Sequence, residues 1–250
     1  MIKQRLKSSY YLFYSLLNSC IAKISLISIN DGFYSTKKDI PYISQFIDVT
    51  KEAEIDEIKA DISKLYLHGY KALNDFVFWG RRICGIICIK MILNANGLAI
   101  DLKVYDILQL GLKLKGYIVN NEDGEFVDVG WFHKPLLKLG QSLGLKGAVK
   151  NSQVIENLAL EVVKGNFVIV SVRVPDRSFL KKDGNYFDDN YQGTIHGHLI
   201  LLTGVAIKNH KPIYFTAHNP TGYKNYEKNS RISSKTMKRI FTGRIILFYS

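Results

Sequence analysis

The chain has 250 residues, 47% of them hydrophobic, enough to bury a full core, and its composition excludes a fibre or a disordered segment. Lys and Arg outnumber Asp and Glu by 34 to 22, but no zinc-finger spacing, RNP-like aromatic motif or Walker loop directs that charge to nucleic acid. A basic, solvated surface is expected, densest toward Lys224, Lys228, Arg231, Lys235, Lys238, Arg239 and Arg244.

At the N-terminus, Lys3, Arg5 and Lys7 precede a short tyrosine-rich apolar run and then Asn18-Ser19-Cys20-Ile21-Ala22. This is the outline of a signal peptide with a poor cleavage pattern, so the expected address is the cytoplasm, with export if residues 1–22 act as a signal. No run reaches the ~18 apolar residues of a spanning helix. Ile24 to Ile29 alternates apolar and small polar residues and predicts a half-buried strand, which Asn30-Asp31-Gly32 ends. Residues 1–39 thus form an N-terminal extension or first strand, and 40–250 the main domain.

Ile40-Pro41-Tyr42-Ile43-Ser44-Gln45-Phe46 is a short extended piece. From Lys51 to Leu67 the residues Ile55, Ile58, Ile62 and Leu65 recur three and four apart among acids, a surface amphipathic helix. Further helices are predicted from Leu102 to Leu114, Trp131 to Leu143 and Gln153 to Val163, with a short strand at Lys146 to Lys150. Strands follow at Phe167 to Val174, His198 to Ile207, Ile213 to Ala217 and Arg244 to Tyr249, rich in β-branched and aromatic residues. The long polar connection Pro175 to Gly197 reads as a flap. Helices first and strands after is an α+β pattern.

Within the helical half, Phe78-Trp79-Gly80-Arg81-Arg82-Ile83-Cys84-Gly85 leads into an apolar run whose isoleucines point in every direction, predicting a helix buried on all sides. A thiol at its start meets unpartnered first-turn amides and the positive end of the macrodipole, which favour thiolate. Against this stands the small-hydrophobe role of most buried cysteines, which fits Cys88. Three cysteines make no disulfide framework, and no nearby ligands complete a metal site, so neither metal nor cofactor is expected.

A thiol nucleophile needs a base. His68, His133 and His210 suggest surface positions, leaving His196, His198 and His218; of these, His198 opens an otherwise apolar strand after Gly197. Asn219, at the end of the next strand, would hold the imidazole if the two strands pair antiparallel, or would simply be a turn residue before Pro220. Gln45 is the side-chain amide best placed by context to join the Cys84 backbone N–H as an oxyanion donor.

Pro41-Tyr42-Ile43-Ser44-Gln45, Cys84-Gly85 heading a helix with Met91, Gly130-Trp131, Val168-Ile169-Val170, His198-Leu-Ile-Leu-Leu-Thr-Gly and Asn219-Pro220 together resemble the stand-alone members of cysteine peptidase family thirty-nine. The resemblance spans about Ile40 to Pro220. It implies a papain-like fold with Cys84 as nucleophile, His198 as base and acid, Asn219 as orienter and Gln45 as oxyanion donor. Thirty-eight residues separate Gln45 from Cys84, more than the family usually shows, and Asn219 stands where many relatives have aspartate. The expected activity is hydrolysis of a peptide or isopeptide bond in a peptide or protein partner, with Trp79, Gly80 and Gly197 beside the substrate. Acyl transfer by the same residues, or a non-catalytic peptide-binding module, are the alternatives.

Overall fold

The computed structural model describes residues 16–46, 65–118, 128, 130–175, 195–221 and 228–250. The expected 51–67 helix, except for its last residues, and the 175–197 flap fall largely outside them.

In chain order the elements are α1 (16–27), β1 (Gly32–Ser35), α2 (Leu65–His68), α3 (Leu73–Gly80), α4 (Cys84–Ala95), α5 (Val104–Lys113), α6 (His133–Ser142), β2 (Gly147–Lys150), α7 (Ile155–Val163), β3 (Phe167–Pro175), β4 (Ile195–Lys208), β5 (Lys211–His218), β6 (Ser230–Ser233), α8 (Ser234–Ile240) and β7 (Phe241–Phe248). The strands make one antiparallel sheet ordered β2-β7-β3-β4-β5-β6, with β1 also paired to β4.

Alternation along the central strands divides the core in two. Phe167, Ile169, Leu199, Leu201 and Ile246 join α4, α5 and α6 on one face of the sheet. Val168, Val170, Ile200, Leu202 and Leu247 join α7, α8 and Leu26 of α1 on the other. Helix α4 is buried from Gly85 through Leu93, as its unbroken apolar sequence predicts. Even Lys90 is covered, its Nζ donating to the Ala99 and Ile100 carbonyls at 3.0 and 3.3 Å.

The expected strand at Ile24 to Ile29 is a correction: residues up to 27 continue α1. The segment fits both periods, and burial of Ala22 and Leu26 with half-burial of Ile29, spaced four and three apart, selects the helical one. The serines that suggested alternation turn back onto the helix, Ser25 Oγ donating to Ile21 O at 2.9 Å and Ser28 Oγ to Ser25 O at 2.9 Å.

Candidate active site

Helix α4 begins at Cys84 with no side-chain cap on its first turn, so amides there stay available to a ligand or to the thiol itself. The turn ahead of it is pinned by backbone. Arg82 N donates to Trp79 O at 2.6 Å, Arg82 Nη1 to Phe78 O at 2.7 Å, and Trp131 Nε1 to Arg82 O at 2.6 Å. The Arg82 guanidinium also pairs with Asp128 at 3.1 Å, and the Tyr117 hydroxyl donates to the other Asp128 oxygen.

Gly85 explains the Cys-Gly pair. A Cβ there would lie 2.7 Å from Leu136 Cδ1 and 2.9 Å from Leu199 Cδ1, so only glycine lets the start of α4 close against α6 and β4. The backbone amides of Leu199, Gly85 and Cys84 favour the thiolate form of Cys84. Leu199 directly follows His198 on β4.

Burial pushes the Cys84 thiol up to about 11, outweighing the downward pull of those three amides, while the Asp128 carboxylate adds a smaller upward push. The helix terminus thus contributes in the direction of thiolate and desolvation opposes it. Cys88 is fully buried, with its Sγ donating to Leu199 O at 3.7 Å, as a core residue should be.

His198 Nε2 lies 2.9 Å from Asn219 Oδ1. That oxygen also accepts from Thr221 N at 3.2 Å and Thr221 Oγ1 at 2.9 Å. An amide N–H in its place would face the Thr221 N–H donor, so the orientation of the Asn219 amide follows, and with it the tautomer: His198 carries its proton on Nε2 and leaves Nδ1 as the acceptor. Asn219 is fully buried, and its Nδ2 has no hydrogen-bond partner among the described residues.

Gln45 reaches the same place from a distant part of the sequence. Its N–H donates to Pro220 O at 2.7 Å, and Tyr42 Oη donates to Asn219 O at 3.0 Å. The Gln45 side chain is buried, and its Oε1 has no hydrogen-bond partner among the described residues. His218 fastens this segment too, its Nε2 donating to Ile40 O at 2.8 Å while its Nδ1 accepts from Asn229 N at 3.2 Å. With both ring nitrogens engaged and burial lowering its pKa, His218 is a structural histidine. His196 is exposed.

Trp79 and Gly80 are not an open groove wall. Trp79 packs edge-on to Phe78 and Tyr117, with centroids 4.9 and 5.5 Å apart, and Gly80 is covered by the rings of Phe46 and Phe76; the neighbouring Arg81 takes the exposed position. Gly197 is exposed, and a Cβ added there would meet nothing within 4 Å. His68, expected at the surface, is buried, and desolvation lowers its pKa to about 4; the masking of polarity by tertiary packing is invisible in its local sequence.

Sequence reasoning missed Thr221 and Asp128. Asn219-Pro220-Thr221 does carry an Asx-turn signal, whereas Asp128 meets Arg82 only through the fold. Among the described residues, no group of three or more potential ligands is placed to hold a metal ion, and no helix is long and apolar enough to cross a membrane.

No protein-family model and no curated protein matches the sequence. Among solved structures, one from Bacillus anthracis, named as a C39-like peptidase, aligns with TM-score 0.51 and 14% identity, over 87% of this chain and 98% of that one. A double glycine motif protease from an AMS/PCAT transporter, in complex with the leader peptide, aligns at TM-score 0.35 and 15% identity over 67% of this chain and 84% of that one, too distant to bear on the argument. The first comparison establishes the fold: α+β, of the papain-like peptidase kind.

Proposed function

We propose that this chain is a thiol-dependent hydrolase of peptide or isopeptide bonds, acting through Cys84, His198 and Asn219. The observation that carries the proposal is the hydrogen bond from His198 Nε2 to Asn219 Oδ1, on the strand whose next residue, Leu199, packs against Gly85 at the start of α4. Held in that tautomer, His198 offers Nδ1 to the thiol proton. The resulting thiolate attacks the substrate carbonyl carbon, and the carbonyl π pair moves onto oxygen. The oxyanion would be held by the Cys84 N–H and the Gln45 side-chain amide. Collapse expels the amine, which takes the proton from His198 and leaves a thioester on Cys84. His198 then takes a proton from water, hydroxide attacks the thioester, and the carboxylic acid leaves as Cys84 regains its proton.

Burial raises the pKa of the Cys84 thiol, so the thiol rests protonated and the base acts on demand. Gly197, open beside His198, is the proposed substrate contact. Residues 40–250 are proposed as the peptidase-like domain, with 1–39 its N-terminal extension or first strand, as the pairing of β1 with β4 supports.

The same raised thiol favours a second reading, a non-catalytic peptide-binding module. Iodoacetamide labelling with mass mapping separates the two. Selective alkylation of Cys84 near pH 6, abolished in His198→Ala, supports the catalytic pair; a Cys84 no more reactive than exposed Cys20 sinks it. Incorporation of added amines into product would instead identify acyl transfer.

A further inference from the structure

The sheet carries an aromatic row that serves neither core. Phe33 on β1 and Tyr214 on β5 flank Ala206 of β4 in the register, and their rings stack 6.2 Å apart at 25°. On the next strand, β6, exposed Arg231 lays its guanidinium 3.8 Å from the Tyr214 ring centre. Val205, Phe215 and Ile232 of these strands point into the core beneath α7 and α8, so the row stands on the opposite face of the sheet. Phe33 is 55% exposed, and neither it nor Tyr214 belongs to a core cluster. Its seat is specific nonetheless: a Cβ on Gly204 would run into the Phe33 ring, so glycine at that position is what lets the ring lie across β4.

The charge around the row has one sign. The described residues from 195 onward hold eight lysines and arginines and no carboxylate side chain. Arg231 stands in the row itself, and exposed Lys208 and Lys211 pair with each other at the hairpin end, Lys208 two residues beyond Ala206. The carboxylate nearest to Phe33 in sequence, Asp31, already accepts from Asn209 N at 2.8 Å. Positive charge alone suits any polyanion, and the rings narrow the choice. A carboxylate or a lipid phosphate gains nothing from an exposed π-face, whereas each nucleotide of a single strand brings a ring to stack and a phosphate to pair. In a duplex the bases are already stacked and paired with each other, and no face is left for Phe33.

We propose that this face of the sheet binds single-stranded nucleic acid: a base stacks on Phe33 and extends the Tyr214–Arg231 stack, while Arg231, Lys208 and Lys211 meet the flanking phosphates. The three members of the stack come from three strands, at positions 33, 214 and 231, which is why no linear motif announces the site. The proposal does not depend on whether Cys84 is catalytic.

The test is fluorescence anisotropy of a labelled oligothymidine of about a dozen nucleotides titrated with the full chain. An abasic strand of equal length and the matching duplex serve as competitors. Oligothymidine should bind roughly tenfold or more tightly than either, and its affinity should fall as salt is raised. Phe33→Leu keeps an apolar side chain but removes the ring, and should weaken binding roughly fivefold to a hundredfold, while Phe33→Tyr should retain most of it. Arg231→Gln, at an exposed position, should reduce the slope of log affinity against log salt by about 0.7. Absence of saturable binding, an abasic strand that competes as well as oligothymidine, or wild-type affinity in Phe33→Leu overturns the proposal. So does an unchanged salt slope in Arg231→Gln, a variant that leaves both rings in place.

Discussion

Replacing Gly85 by alanine tests the junction on which the candidate site rests. The new methyl would sit 2.7 Å from Leu136 Cδ1 and 2.9 Å from Leu199 Cδ1, about 0.7 and 0.5 Å inside the 3.4 Å at which ordinary contact begins. Leu136 is fully buried and Leu199 nearly so, so neither has open space to retreat into. Overpacking of this kind costs about 1–3 kcal/mol, offset by the about 0.5–1 kcal/mol that alanine gains over glycine in a helix. The net loss of stability is therefore between zero and about 2.5 kcal/mol, measurable by urea denaturation. The first turn of α4 is expected to move away from β4, and displacement of a nucleophile by about 1 Å costs up to about 10²-fold in rate. Cys84 alkylation at pH 6 and peptide hydrolysis should both fall by roughly tenfold to a hundredfold while the chain remains folded. Leu136→Val added to Gly85→Ala makes room and should restore part of both losses. Wild-type stability together with wild-type rates in Gly85→Ala would refute the reasoning.

Asn219→Ala removes the acceptor of three donors, and should lower kcat roughly 10²- to 10⁴-fold with KM little changed, while Asn219→Asp, which keeps an acceptor oxygen, retains most activity; equal losses in both variants would argue against an orienting role. Gly197→Ala introduces no clash, so its unfolding midpoint should stay within about 0.5 kcal/mol of wild type while KM for a peptide rises; an unchanged KM would remove Gly197 from the substrate path. Buried His68, with its pKa lowered from 6.5 to about 4 by desolvation, is protonated more readily in the unfolded chain. Stability should therefore be full above pH 6.5 and fall as pH drops toward 4, by up to about 1.4 kcal/mol per pH unit. His68→Gln should flatten that slope in urea titrations across the window, and an unaltered slope would place the burial elsewhere.

The central elements were legible because one period dominated each of them. The isoleucine-rich run after Cys84 has no polar face, and it is the most deeply buried helix; Phe167 to Val174 and His198 to Ile207 have the residues and length of inner strands, and they pair in the middle of the sheet. Ile24 to Ile29 failed because its isoleucines and serines satisfy helix and strand periods alike, and only the partner surface decides. Within the site, antiparallel pairing of β4 with β5 ends at Leu201 and His218, which brings Asn219 within 2.9 Å of His198; the strand itself begins three residues before His198, at Ile195. The acidity of Cys84 was not readable. Local sequence shows the helix terminus, which lowers the thiol pKa, but not the tertiary burial that raises it. A large aromatic near a nucleophile serves a groove or a core equally well in sequence, and in the fold Trp79 packs edge-on against Phe78 and Tyr117.

The strand order carries a consequence for biosynthesis. β7, the latest strand in the chain, lies between β2 and β3 rather than at an edge, and Ile246 and Phe248 belong to the core that surrounds α4. β1 meanwhile pairs with β4 across about 170 residues of sequence, and Gln45 meets Pro220 across a similar distance. Such contacts make for high contact order and slow collapse onto the native sheet. While the chain is still emerging from the ribosome, the gap between β2 and β3 stays unfilled, and α4 has only part of its bed. A nascent chain thus holds Cys84 and His198 on unfinished supports until residues 241–248 are released, so that any activity this thiol possesses is withheld during synthesis by topology alone.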